Sequence, residues 1–187
     1  MNKYYLFQSD HFIDKKTLQG VIDSFYIGDC EITYLNEKSG YIIADSQFAL
    51  LIAEALPTIN NDLGTKLVIV CAHNLSEVSL AALSYSYQNM QGFNYLSDVV
   101  LDQLLINFTD IKQRIINEFN QVPHELVLTA QAYLKSGLNA KAASEMLYIH
   151  RNTFNYRLNK FIEITELDIR DYWHAFYFNI YVKLLSK

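Results

Sequence analysis

The chain has 187 residues, 51% hydrophobic and 19% charged, which is enough apolar material for a proper core and excludes a disordered chain. No apolar run reaches the roughly 18–20 residues that cross a bilayer, and MNKYYLFQSDHF at the start lacks the basic and apolar regions of a secretory leader, so a cytoplasmic location is expected. The net charge of −5 is unevenly placed: residues 1–120 hold 7 Lys+Arg against 14 Asp+Glu, residues 121–187 hold 8 against 6, and only the C-terminal third can meet a polyanion.

In chain order, HFIDKKTLQGVIDSFY places Leu18, Val21, Ile22 and Phe25 at helical spacing behind Asp14, which predicts a helix near 14–25. CEITYLNEKSGYIIAD predicts two short strands around a Glu-Lys-Ser-Gly turn, with Gly40 at a positive φ. SQFALLIAEAL predicts a helix capped by Ser46 and stopped by Pro57. The apolar run in GTKLVIVCAHN predicts a buried strand, and SEVSLAALSYSYQNM a further helix. The order β-β-α-β-α makes this a small α+β unit. Two helical segments follow, YLSDVVLDQLLINF and DIKQRIINEF, the second with Thr109 as its expected N-cap and Asp110 in its first turn.

Beyond Pro123 everything reads as helix. PHELVLTAQAYLKSG ends at Gly137, a natural left-handed stop; Asn139 caps the short, alanine-rich AKAASEML; three residues, YIH, lead into a third helix. Two helices joined by a tight turn, the first small-residued, form the helix-turn-helix pattern. The expected organisation is therefore an α+β N-terminal domain over 1–120 and an all-α helix-turn-helix domain over 121–187. In the third helix Phe154, Leu158, Phe161 and Ile162 build one apolar stripe. The rest of its circumference carries Arg151, Asn152, Thr153, Asn155, Tyr156, Arg157, Asn159 and Lys160, behind His150 as a capping residue. Arg and Asn can pair bidentately with purine edges, and Thr, Tyr, Arg and Lys can hold phosphate oxygens. Glu163, at the far end of the helix, opposes that chemistry.

The stretches TAQAYLKSGLNAKAASEMLYIHRNTFNYRLNK and ELDIRDYWHAFYFNIYVKLL closely resemble the C-terminal helix-turn-helix of PucR/CdaR-family bacterial transcriptional regulators, in the wider group that includes Fis. The resemblance covers about 60 residues, and HRNT-x-x-YRL is its most specific part. It implies that His150 to Thr153 open a recognition helix, with Tyr156 and Arg157 along the DNA-facing flank and Leu158 in the core. This chain has Asn155 where the family often has Arg, Thr165-Glu166 where Thr-Gly is common, and Asp171-Tyr172 where Asp-Pro is usual. The N-terminal block looks like a shortened form of the degenerate GGDEF-like domain of such regulators. It carries no GGDEF signature, so nucleotide cyclase activity is not implied.

Other chemistry is weaker. Cys30 and Cys71 have no partner motif, which argues against a disulfide framework or zinc site. Cys71 and His73 share a strand face, and the expectation is a buried structural cysteine beside a surface histidine. Asp98 and Asp102, at i and i+4, read as a solvated helix face. The tyrosine-rich stretches suit a core or a dimer interface. The expected function is that of a non-enzymatic, sequence-specific DNA-binding transcriptional regulator: a homodimer on double-stranded DNA, with no cofactor and an unidentified effector. The alternative is a non-catalytic interaction or ligand-sensing module that keeps the helix-turn-helix fold and binds protein. The N-terminal domain, or the apolar last helix from Trp173 to Leu185, is the expected dimer contact.

Overall fold

The computed structural model describes residues 3–106 and 108–185, and the chain divides into two compact units, Met1–Gln103 and Leu104–Lys187. The first unit runs β1 (Lys3–Ser9), α1 (Lys15–Asp23), β2 (Glu31–Tyr34), β3 (Ser39–Ala44), α2 (Ser46–Leu63), β4 (Leu67–Ala72), α3 (Glu77–Asn89), β5 (Phe93–Tyr95) and α4 (Leu96–Ile106), the division falling within the last turn of α4. The expected strand-strand-helix-strand-helix order is present, with β1 and β5 added to it.

The sheet order is β2-β3-β1-β4-β5, antiparallel throughout except for the parallel pair β4 and β5. Its first four strands form two interleaved split β-α-β units, each helix returning the chain across an intervening strand. Lying at the centre, β1 is covered on both faces, and Tyr5, Leu6 and Phe7 are all buried. On one face Tyr5 and Phe7 join Leu18 and Ile22 of α1 and Phe48, Ile52 and Leu56 of α2 in a single core. The Tyr5 and Phe48 rings meet edge to face at 4.7 Å, and the Tyr5 hydroxyl donates to the carbonyl of Asp45 at 2.6 Å. Strand alternation sends Leu6, Val68 and Val70 to the opposite face, where α3 packs on β1 and β4.

Five expectations for this unit are corrected. The N-cap of α2 is Asp45, whose carboxylate accepts from the N–H groups of Gln47 at 2.8 Å and Phe48 at 3.3 Å; Ser46 is the first helical residue. Pro57 does not stop α2, because buried Leu56 and Ile59 hold the helix on the sheet until Gly64 turns it off at φ 57°. Gly40 lies in β3 without a positive φ; it is needed for close approach, since a Cβ there would lie 2.3 Å from the Thr33 carbonyl oxygen and 2.7 Å from the Phe7 ring. His73 is buried alongside Cys71 rather than exposed. The Asp98/Asp102 pair is also not a solvated face: both are half-buried, and Asp102 accepts from the Tyr85 hydroxyl at 2.5 Å. That bond, with some burial, pushes the Tyr85 pKa up to about 12.

The second unit contains α5 (Phe108–Phe119), α6 (His124–Lys135), α7 (Ala140–Met146), α8 (Arg151–Thr165) and α9 (Tyr172–Leu185). The division precedes the expected boundary at 120/121 because α5 belongs with the C-terminal helices. Phe119 stacks on Tyr181 of α9 at 4.1 Å, and the Tyr177 hydroxyl of α9 donates to the Glu118 carboxylate of α5. Thr109, expected as the N-cap of α5, lies inside the helix; the position before Phe108 is outside the described residues. Asp171 accepts from the N–H groups of Trp173 and His174, which fixes the start of α9 with Tyr172 as its first residue. Tyr177, Phe178, Ile180, Tyr181 and Leu184 of α9 are buried in this unit's own core, while Tyr172 and Leu185 at its two ends are exposed.

Candidate nucleic-acid interface

Both turns of the helix-turn-helix are closed by backbone hydrogen bonds of one kind. At the end of α6 the Gly137 N–H donates to the Leu134 carbonyl at 3.1 Å and the Leu138 N–H to the Tyr133 carbonyl at 2.9 Å, with Gly137 at φ 68°. This paired pattern satisfies two carbonyls left open at a helix C-terminus, and Gly137 is the left-handed stop its sequence position suggests. Asn139 then caps α7, its side-chain oxygen accepting from Lys141 N–H at 3.0 Å and Ala142 N–H at 3.1 Å. Ala143 is fully buried, and its small side chain lets α7 lie close to both α6 and α8.

The end of α7 repeats the motif. The Tyr148 N–H donates to the Glu145 carbonyl and the Ile149 N–H to the Ser144 carbonyl, each at 3.1 Å. Here the left-handed position is held by Tyr148 at φ 53°, where glycine would be unstrained and a side chain costs roughly 1–2 kcal/mol. The Tyr148 side chain recovers nothing by packing, for the residue is 96% exposed.

His150 caps α8 as expected, its Nδ1 accepting from the Asn152 N–H at 3.2 Å, which requires that nitrogen to be unprotonated. Phe154, Leu158 and Phe161 form the buried stripe. The Phe154 ring lies 5.9 Å from Tyr133 of α6, and the Phe161 ring 5.0 Å from Phe178 of α9. Ile162, expected in the stripe, is only half-buried; the fourth buried position is Thr165, whose hydroxyl donates to the Phe161 carbonyl at 2.8 Å. With the core side fixed, a period of about 3.6 residues puts Asn152, Tyr156, Asn159 and Glu163 along the opposite, outward line.

Of the predicted interface residues, His150, Arg151, Asn152, Thr153, Asn155 and Tyr156 are exposed, most of them within the first two turns, where free N–H groups and the helix dipole favour an anion. Arg157 and Lys160 are half-buried and engaged. Arg157 Nη2 lies 2.8 Å from the Glu125 carboxylate of α6, and Lys160 Nζ lies 2.7 Å from Glu163, whose hydrogen bond raises the lysine pKa. Among the described residues, Arg151 is the cation of α8 without an ion-pair partner. The Arg157–Glu125 pair had no sequence signal, because its members stand far apart in the chain on different helices. Tyr148 did have a signal: it is a non-glycine residue between two capped helices. At the other end of α8, Glu166 sits at φ 56°, the position where the resembled family commonly has glycine.

Residues 126–184 match the family described as the PucR C-terminal helix-turn-helix domain. The proline-responsive transcriptional activator PutR of Bacillus subtilis is 26% identical over 91 residues, 48% of this chain and 22% of that protein. The DNA-binding transcriptional activator AdeR, also of Bacillus subtilis, is 34% identical over 59 residues, 32% of this chain and 14% of that protein. The chain thus spans less than a quarter of the length of either regulator it matches. Among solved structures, a regulator of polyketide synthase expression from Bifidobacterium adolescentis aligns over 98% of this chain and 80% of its own, at 12% identity and a TM-score of 0.49.

Proposed function

We propose, from the PucR-type helix-turn-helix domain carried by its C-terminal unit, that this chain is a sequence-specific DNA-binding transcriptional regulator that inserts α8 into the major groove. The observation that carries the reading is the outward side of α8. Arg151, Asn152, Thr153, Asn155 and Tyr156 stand exposed on a helix whose other side is locked into the core by Phe154, Leu158 and Phe161. In helix-turn-helix proteins the N-terminal residues of this helix meet base edges. Asn152 and Arg151 are the proposed base readers; Thr153, Tyr156 and Lys160 are the proposed phosphate holders. Arg157 is held by Glu125 and exchanges that carboxylate for a phosphate on binding. His150 fixes the start of the helix and Asn155 its flank.

One recognition helix covers few base pairs, so the working species is proposed to be a homodimer on a two-fold site. Because most of the large apolar side chains in the middle of α9 are buried within its own unit, the N-terminal α+β unit is the proposed dimer contact. That unit is proposed as the shortened GGDEF-like domain, without catalytic activity; the split β-α-β order supports this. A cytoplasmic location accompanies the reading, and no helix among the described residues is long and apolar enough to cross a membrane. A second reading, a helix-turn-helix that binds protein, draws support from the neutralisation of Arg157 and Lys160 by carboxylates of this same chain.

Selection from a pool of duplexes with randomised cores decides between them. The regulator reading expects enrichment of one discrete site with two-fold symmetry, lost in an Arg151→Ala/Asn152→Ala variant. Equal retention of all duplexes, or of none, would leave the protein-binding reading standing instead.

A further inference from the structure

We infer that Tyr148, in the turn between α7 and α8, is a DNA-contacting residue that holds a backbone phosphate through its hydroxyl. The inference rests on the regulator reading above and adds to it a residue outside the recognition helix.

Three observations converge on this side chain. First, its backbone is in the left-handed region at φ 53°, which favours glycine, and this chain places Gly137 at the corresponding position of the preceding turn. The fold therefore has a working solution for this turn that needs no side chain. Second, at 96% exposure the ring and hydroxyl stabilise nothing within the unit. A strained residue whose side chain contributes nothing to the fold points to a role outside it. Third, Tyr148 lies two residues ahead of His150, at the mouth of the helix whose first turns carry Arg151, Asn152 and Thr153. When the N-terminal end of a recognition helix enters the major groove, the connector just before it comes to the groove edge, where the phosphates are. A tyrosine hydroxyl is a phosphate donor that adds no charge. It suits an interface whose cations are few and partly neutralised.

The other non-glycine residues with positive φ do not share this combination. Leu138 is 40% exposed and apolar, and Glu166 lies at the far end of α8 with a carboxylate that would repel phosphate.

The test uses the full chain as Tyr148→Gly and Tyr148→Phe, with thermal unfolding and affinity for a selected duplex measured over a range of salt. Tyr148→Gly is expected to unfold at higher temperature yet bind about tenfold more weakly, the loss expected for one hydrogen bond to a charged group. The slope of log affinity against log salt should stay that of the unaltered chain, since no counterion-releasing charge is removed. Tyr148→Phe should show most of the same loss. Unchanged affinity in Tyr148→Gly overturns the inference, and full affinity in Tyr148→Phe overturns the hydroxyl–phosphate assignment. If the unaltered chain binds no duplex at any salt, the regulator reading itself fails, which is a distinct result.

Discussion

At the scale of single residues, α8 carries charges that work against its proposed ligand. Glu163 lies on the outward line of α8 and holds Lys160 at 2.7 Å. Glu163→Gln removes an anion from that line and frees a cation, so affinity for duplex should rise about threefold to tenfold, with a steeper salt dependence; an unchanged affinity in a filter or anisotropy titration would place Glu163 outside the interface. Glu166, at φ 56°, is a different case, since its strain is backbone strain. Glu166→Gly should stabilise the chain by about 0.5–1 kcal/mol in chemical unfolding, and a loss of stability would show that the carboxylate has a partner worth more than the strain. In the N-terminal unit, Tyr85 donates to Asp102 with its pKa pushed up from 10.0 to about 12. A pKa raised on folding means a contribution that is complete below 10.0 and fades as pH climbs through about 12. Stability of the unaltered chain should therefore fall more than that of Tyr85→Phe across that window, and parallel curves would contradict the bond.

At the scale of elements, what could be read in advance depended on whether an element shows one face to water. α8 does, so its stripe and its polar side were legible, as were the caps Asn139 and His150. β1 does not: buried between β3 and β4 with Tyr5, Leu6 and Phe7 all inside, KYYLFQS has no alternation to mark it as a strand. β5 is three residues long, too short for a pattern. Pro57 misled because tertiary burial on both sides of it outweighs the hydrogen bond it forfeits. Gly40 misled because its role is steric and depends on Phe7, a residue of a strand that was not foreseen. That role is testable: Gly40→Ala must displace either the Thr33 carbonyl or the Phe7 ring, and should cost about 1–3 kcal/mol in unfolding free energy. A neutral substitution would mean that β2 and β1 yield easily at this point.

At the scale of the whole molecule, the charge asymmetry persists when the boundary moves to 103/104: residues 104–187 hold 10 Lys+Arg against 8 Asp+Glu, and residues 1–103 hold 5 against 12. The acidic unit is ill suited to meet DNA, which leaves the helical unit as the one proposed to meet phosphate. The charge asymmetry was legible from the sequence alone. The place of α5 was not, because the Phe119 stack on Tyr181 joins residues that lie far apart in the chain. The most direct test of α8 as a DNA-reading helix is the affinity of the purified chain for its selected duplex as salt rises from about 50 to 200 mM, beside Lys160→Ala, which removes the proposed phosphate-holding cation. A DNA-reading helix predicts affinity that falls steeply with salt, and a slope shallower by about 1 in the variant. No retention of duplex at the lowest salt, or one slope shared by both proteins, would contradict it.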